Sequence, residues 1–188
     1  GLEPQDIDDV VLTHLHYDHA GNVEAYPRAQ VHLQDAEMDY ATGRHMACGV
    51  HSRAYEPDHV AGLIRLVYGD RVAFHDGDGD IAPGISVHRV GGHTAGMQVV
   101  RVHTARGWVV LASDASHLYG NIGNDAPFPA VYHVGDMLEG YRYVRSLADS
   151  EDHIVPGHDP QVMHRYPAPS PDLEGKIVRL DVMPEAAR

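Results

Sequence analysis

Thiol chemistry is nearly absent from this chain: of 188 residues, one is cysteine, Cys48. A lone thiol excludes an internal disulfide and any zinc site built from several thiolates. Cys48 itself reads as a small buried hydrophobe. Positive charge is also scarce. Fourteen Lys and Arg stand against 27 Asp and Glu, a formal net charge of −13. Such a surface repels a phosphate backbone, so nucleic acid is not expected as a partner. No apolar run approaches the ~18 residues of a membrane span, and no secretory signal is visible. No membrane partner is therefore expected, and a cytoplasmic location is the default. The first residue is Gly1 rather than Met, so the natural N-terminus is expected to lie outside the chain. Internal repeats, linkers and low-complexity tracts are lacking too. The length suits one domain over residues 1–188, with enough apolar content for a core. Oligomeric state is left open.

What the chain has in excess is histidine, 16 in all, and its placement is informative. His14, His16, Asp18 and His19 fall in the run Thr13-His14-Leu15-His16-Tyr17-Asp18-His19, directly after the apolar Val10-Val11-Leu12. Imidazole and carboxylate suit zinc and similar first-row metals. Three later points complete the pattern: His93 in Gly91-Gly92-His93-Thr94-Ala95-Gly96, Asp114 at the end of Trp108-Val109-Val110-Leu111-Ala112-Ser113, and His158 in Val155-Pro156-Gly157-His158-Asp159. Each follows a β-rich segment at a turn, so the donors can converge on one edge of a sheet, where rigid strands hold loop residues in place.

The rest reads as alternating strands and helices. A short acidic helical turn from Pro4 leads into a strand over Val10 to Leu12, and Ala29 to Leu33 forms the next strand. Asp35 to Tyr68 is helical or irregular, with Val60, Leu63, Ile64 and Val67 at helical spacing and Gly69 as the stop. Strands are expected over Arg71 to Phe74 and Ile85 to Val90. Asp76 to Asp80 is a solvated turn, lacking the full ligand pattern of a calcium loop. A hairpin joins Gln98–His103 to Gly107–Ala112. Tyr119 to Pro129 is a loop, and Gly135 to Ala148 a helix with Met137, Leu138, Tyr141, Val144 and Leu147 on one face. His153 to Val155 and Lys176 to Asp181 are the last strands.

With its His-x-His-x-Asp-His motif and the later His, Asp and His, the chain resembles the metallo-β-lactamase fold superfamily. Within it, Gly92-His93-Thr94-Ala95-Gly96-Met97, Ser113-Asp114-Ala115-Ser116, Val134-Gly135-Asp136-Met137 and Pro156-Gly157-His158-Asp159 look like the N-acyl homoserine lactonase group. The resemblance implies an α/β fold, an αβ/βα sandwich with two divalent metal ions at one edge, zinc by default. It implies that His14, His16 and His93 hold one metal, that Asp18, His19 and His158 hold the other, and that Asp114 bridges them. It also implies hydrolysis of a small-molecule lactone or ester by metal-activated water, with Asp18 carrying a proton to the leaving alkoxide. Members of the fold normally have further strands and a helix before the His cluster. Here only Gly1 to Thr13 precede it, so the N-terminal strands are expected to be missing, leaving a strand edge and an apolar face uncovered.

His117 stands where these lactonases often have a substrate-contacting tyrosine, which makes it a candidate for substrate contact and catalysis. Tyr119, Tyr132 and His133 are further candidates for the pocket, and the segment Gly43 to Tyr55 is a candidate cover. His32, His75, His88 and His103 read as structural or solvated. The sequence leaves rivals open: another lactone such as 4-pyridoxolactone, a glyoxalase II-type thioester, or a metal-binding protein without turnover. The short, Pro-rich stretch after His158 argues against the thioester.

Overall fold

In the computed structural model, which describes residues 2–185, two sheets carry the chain. The first is parallel, in the order β1 (Asp9–Val11), β2 (Gln30–Gln34), β3 (Val72–His75). The second runs β4 (Gly79–Ala82), β5 (Ile85–Arg89), β6 (Gln98–Thr104), β7 (Gly107–Ser113), β8 (Ile154–Pro156), antiparallel except for the parallel β7–β8 pair. The helices are α1 (Tyr17–Ala20), α2 (Asp35–Thr42), α3 (Gly49–Ser52), α4 (Pro57–Tyr68), α5 (Tyr119–Gly123), α6 (Val134–Leu147) and α7 (Gln161–Arg165). This is the αβ/βα arrangement expected. No helix among the described residues is long and apolar enough to cross a membrane.

Side-chain period decides which face of each strand is apolar. In β2, Val31 and Leu33 point to a core they share with Leu12, Leu15, Val60 of α4 and Tyr40 of α2. In β7, Val110 and Ala112 point to a second core beneath Met137, Tyr141 and Val144 of α6, while Val109 and Leu111 point the other way, to Val155 and Tyr166. Each fully buried side chain in these cores stabilises by about 1.5–3 kcal/mol. The alternate positions of β2 are polar, and they join the sheets. Gln34 Nε2 donates to Gln98 Oε1 (2.8 Å), and Gln98 Nε2 donates to the Leu12 (2.8 Å) and His32 (3.2 Å) carbonyls. The Gln98 amide donates to Thr13 O (3.0 Å). The end of β1 is thereby tied to β6, which brings the two sheet edges together.

Several expectations need correction. The Asp76–Asp80 segment is not all turn: β4 starts at Gly79 and pairs with β5. Tyr119 to Gly123 is a short helix inside the expected loop. Lys176 to Asp181 is not a strand. It meets the rest of the chain through isolated bonds, such as Arg179 N to Pro167 O, and through Val178 and Leu180 packed on the Val109 cluster. Val178 and Leu180 are partly buried by that packing, and Ile177 is exposed. Ile64 of α4 is turned outward, and Cys48 is exposed rather than buried, between two short helical turns.

Gln98→Ala leaves the Gln34 carboxamide and two main-chain carbonyls without this partner. A loss of about 1–3 kcal/mol is expected, read as a lower urea midpoint with an unchanged slope. An unchanged midpoint would mean that this clasp does not hold the sheets together.

Candidate metal centre

The donors stand where strands end. After β1 the chain is pinned by Leu12 N to His32 O and by Thr13 O to Gln98 N, which fixes His14. His16 caps α1, whose single turn carries Asp18 and His19. His93 sits in a tight turn in which Gly91 and Gly92 have φ of 65° and 89°. A Cβ on Gly92 would lie 2.5 Å from Met137 Cα, so only glycine lets α6 press this turn forward. At the end of β7, Ser113 adopts φ 45°, an unfavourable left-handed conformation for a non-glycine residue. It turns the chain so that Asp114 faces the cluster. Gly157 N donates to Ser113 O and Ser116 O, and His158 N donates to His117 O, holding the β8 loop against the β7 loop.

These loops bring seven expected donors together. Four overlapping groups have donor atoms within 4.8 Å of one another: His14–His16–His93, His14–His19–Asp114, Asp18–His19–His158 and His93–Asp114–His117. Asp114 is the hub. Its carboxylate lies 3.9 Å from His14 Nε2, 3.3 Å from His19, 3.4 Å from His93, 2.9 Å from His117 and 3.0 Å from His158. The set fits a divalent ion on chemical grounds. His14 Nε2 and His19 Nε2 are buried nitrogens with no hydrogen-bond partner among the described residues, and buried polar atoms rarely stay unpaired. Imidazole nitrogen and carboxylate oxygen are the donors that zinc-like cations take.

Electrostatics prepares the rings. Burial, reinforced by neighbouring imidazoles, holds the His14 pKa well below its ordinary value. Burial and mutual repulsion push His16 and His93 down to about 4 against the pull of Asp114. These three rings are neutral at pH 7 and keep a lone pair to donate. Burial also opposes the charged form of His19, but the Asp114 carboxylate 3.3 Å away wins and raises its pKa. For Asp114, burial works against ionisation, and the hydrogen bond from His117 together with the close approach of His19 overcomes it, so the carboxyl is held far below the usual carboxylate range.

The remaining candidates divide. His117 joins the cluster through its bond to Asp114, and its ring stacks on Phe128 (3.6 Å, 17°). Tyr119 does not turn to the cluster; its ring lies under the Arg165 guanidinium at 4.5 Å. His133 is exposed and caps α6 by accepting from Asp136 N (3.0 Å). Tyr132, with Tyr40, Val50, His51 and Arg53, lines a cleft that opens on His16 and His93, so part of the Gly43–Tyr55 segment does border the site. Two histidines outside it are structural: His32 bridges Asp9 (2.9 Å) and His75 (3.0 Å), and His88 bridges Ser86 (2.9 Å) and Tyr143 (3.2 Å). Sequence reasoning passed over Glu37, which is completely buried beneath the first two donor loops. A lone Glu in an acidic helical turn carried no signal there.

The model of the metallo-beta-lactamase superfamily matches residues 1–170. The chain belongs to that superfamily. Among curated relatives, this superfamily member is 35% identical over 168 residues to the N-acyl homoserine lactonase AiiB of Agrobacterium fabrum (strain C58 / ATCC 33970), covering 85% of the chain and 59% of the relative. It is 33% identical over 161 residues to an N-acyl homoserine lactonase of a Bacillus species, covering 85% and 58%. Among solved structures, an N-acyl homoserine lactone hydrolase with the product N-hexanoyl-L-homoserine bound at its catalytic metal centre superposes with a TM-score of 0.73 at 26% identity, over 87% of this chain and 60% of that one. A dizinc quorum-quenching lactonase superposes at 0.65 with 18% identity, which speaks for the fold alone. The chain thus spans about three-fifths of the length of the relatives it matches.

The pKa directions set a pH dependence for the metal-free chain. His14, His16 and His93 have folded values below the ordinary 6.5. Between about pH 6.5 and 4 the unfolded chain therefore binds more protons on these rings, and stability falls as the pH drops. His19, raised, acts oppositely: its contribution is present at low pH and is lost as pH rises through its folded value. His75 is lowered as well, while Glu37, raised by burial, acts with His19; four groups oppose two, so with metal removed the urea midpoint should be lower at pH 5 than at pH 7.5. An equal or higher midpoint at pH 5 contradicts the buried neutral rings.

Proposed function

We propose that this chain is a metal-dependent hydrolase that opens a lactone ring, with N-acyl homoserine lactones as the substrate class. One observation carries the proposal: neutral, buried imidazoles from separate strand ends meet at one ionised carboxylate, Asp114, in a chain whose relatives are named as lactonases of that kind. His14, His16 and His93 would hold one ion, Asp18, His19 and His158 a second, with Asp114 between them. Two divalent ions at that position, zinc by donor chemistry, would supply Lewis acidity and a water acidified to a pKa of about 7.

The side chains supply the rest. Asp114 stays ionised and faces both groups of rings, so it draws them together and fixes their spacing. Asp18 is half exposed, with its carboxylate 3.6 Å from His19 Nε2, which suits it to carry a proton between the site and solvent as the ring opens. His117 presents a partly exposed ring edge beside Asp114. Pinned on Phe128, it would orient the ester by hydrogen bonding. The cleft between His51, Val50 and Tyr132 would receive the acyl amide and its chain and exclude water from them.

The test is acid release from N-hexanoyl homoserine lactone, followed with zinc-replete chain and with a chelated control. Release is expected only with metal. Asp114→Ala and His16→Ala should each lower kcat/KM by more than the ~10–100-fold typical of substitutions behind the ligands, with the circular dichroism of the folded chain retained. Full activity in either variant sinks the proposal.

A further inference from the structure

Glu37, on the first turn of α2, is completely buried and has no ion-pair partner among the described residues. Its carboxylate instead accepts four hydrogen bonds. Oε1 accepts from Leu15 N (3.0 Å) and the Tyr55 hydroxyl (2.9 Å); Oε2 accepts from the Thr94 hydroxyl (2.6 Å) and Gly96 N (3.1 Å). Leu15 lies between His14 and His16, and Thr94 follows His93. The Tyr55 ring meets His16 edge-on at 4.8 Å. A Cβ on Gly96 would fall 2.1 Å from Glu37 N, so the His93 loop rests directly on α2. One carboxylate thus joins both loops that present the three histidines. His93 is further fixed by Ala130 O at Nδ1 (2.6 Å), and His14 by the Thr13 hydroxyl (3.2 Å).

The other group is not held in this way. Asp18 is exposed, and the His158 side chain is 43% exposed. Among the described residues, Asp18 and His19 have no side-chain hydrogen bond to a group outside the cluster, and the His158 ring bonds only to Asp114. Ligands fixed during folding lose little freedom when an ion arrives, whereas exposed ones must be ordered at that moment.

We infer that Glu37 is a positioning residue that pre-forms the His14–His16–His93 position, so that this position takes its ion first and more tightly than the Asp18–His19–His158 position. The inference rests on the metal centre proposed above and not on the identity of the substrate. A carboxylate suits the task because every one of its four partners is a donor. A glutamine would turn its NH2 group against one main-chain N–H and force the neighbouring hydroxyl to accept rather than donate.

The experiment is titration of the metal-free chain with Zn2+ against a chromophoric chelator, and with Co2+ followed by its visible bands. Two unequal constants are expected. The tighter one should vanish in His93→Ala and persist in Asp18→Ala. Glu37→Gln should weaken the tighter constant about 10–100-fold, alter the bands of the first cobalt equivalent, and leave the weaker constant in place. Tyr55→Phe, which removes one donor, should shift the same constant by less, and it serves alone if Glu37→Gln does not fold. Val144→Ala, in the core under α6, controls for lost stability and should move neither constant. Loss of the tighter constant in Asp18→Ala overturns the inference. So does a Glu37→Gln chain whose two constants fall equally or stay unchanged. Because no ester is present, failure of the lactone assignment would leave these constants as they are, whereas a chain that binds no ion removes the metal centre itself.

Discussion

Six imidazoles and one buried carboxylate share a volume in which no two neighbouring rings can be charged cheaply. The rest of the structure is arranged around that constraint. Asp114 lies within 3.9 Å of five histidine nitrogens, and it is the only carboxylate at the centre of the group among the described residues. Removing it would leave the rings with repulsion and desolvation and only the exposed Asp18 to offset them. Its position depends on the strained Ser113 and on the loop after β8 packed behind it. The strain is local, and the two conventional apolar cores on either side sustain it.

The polar interior follows from the same requirement. The donors come from loops after β1, before β6, after β7 and after β8, and these loops belong to different sheets. Apolar packing alone would allow the sheets to slide. The Gln34–Gln98 clasp and the Glu37 cradle fix them by direction as well as by contact, since a hydrogen bond weakens steeply with misalignment. Both networks are filled by donors and acceptors that match, although burial still raises the Glu37 pKa against the pull of its four hydrogen bonds.

The sequence carried the donors plainly because a metal site is read from residue identity. His14, His16, Asp18 and His19 fall within six positions, and His93, Asp114 and His158 each stand beside glycine or at a strand end. The hairpin between β6 and β7, and α6, were legible for a similar reason, since their periodicity is local. What escaped notice was set by distant partners. Glu37 and Gln98 look like ordinary surface residues until Thr94, Leu15, Gln34 and Leu12 fold around them. Asp76 to Asp80 reads as a turn by composition, yet β5 supplies a ladder for its end. Ile177, Val178 and Leu180 read as a strand, but no strand among the described residues pairs with them. Tyr119 looked like a pocket residue by its distance from Asp114 along the chain, and Arg165, from a helix far away in sequence, claims its ring.

The distribution of burial separates two kinds of residue. Behind each sheet, Leu33, Leu63, Met137 and Ile154 form apolar cores with no polar partner to satisfy, and substitutions there act through volume. Between the sheet edges, Glu37, Gln34, Gln98, His14 and Asp114 are equally buried but act through geometry. A change in the first class shifts the folding equilibrium and leaves the surviving folded molecules intact. A change in the second class alters the centre in every folded molecule, because each of these groups holds a donor loop or is itself a donor. Stability is therefore separable from site geometry at the apolar positions, whereas the polar ones, Gln98 among them, bear on both.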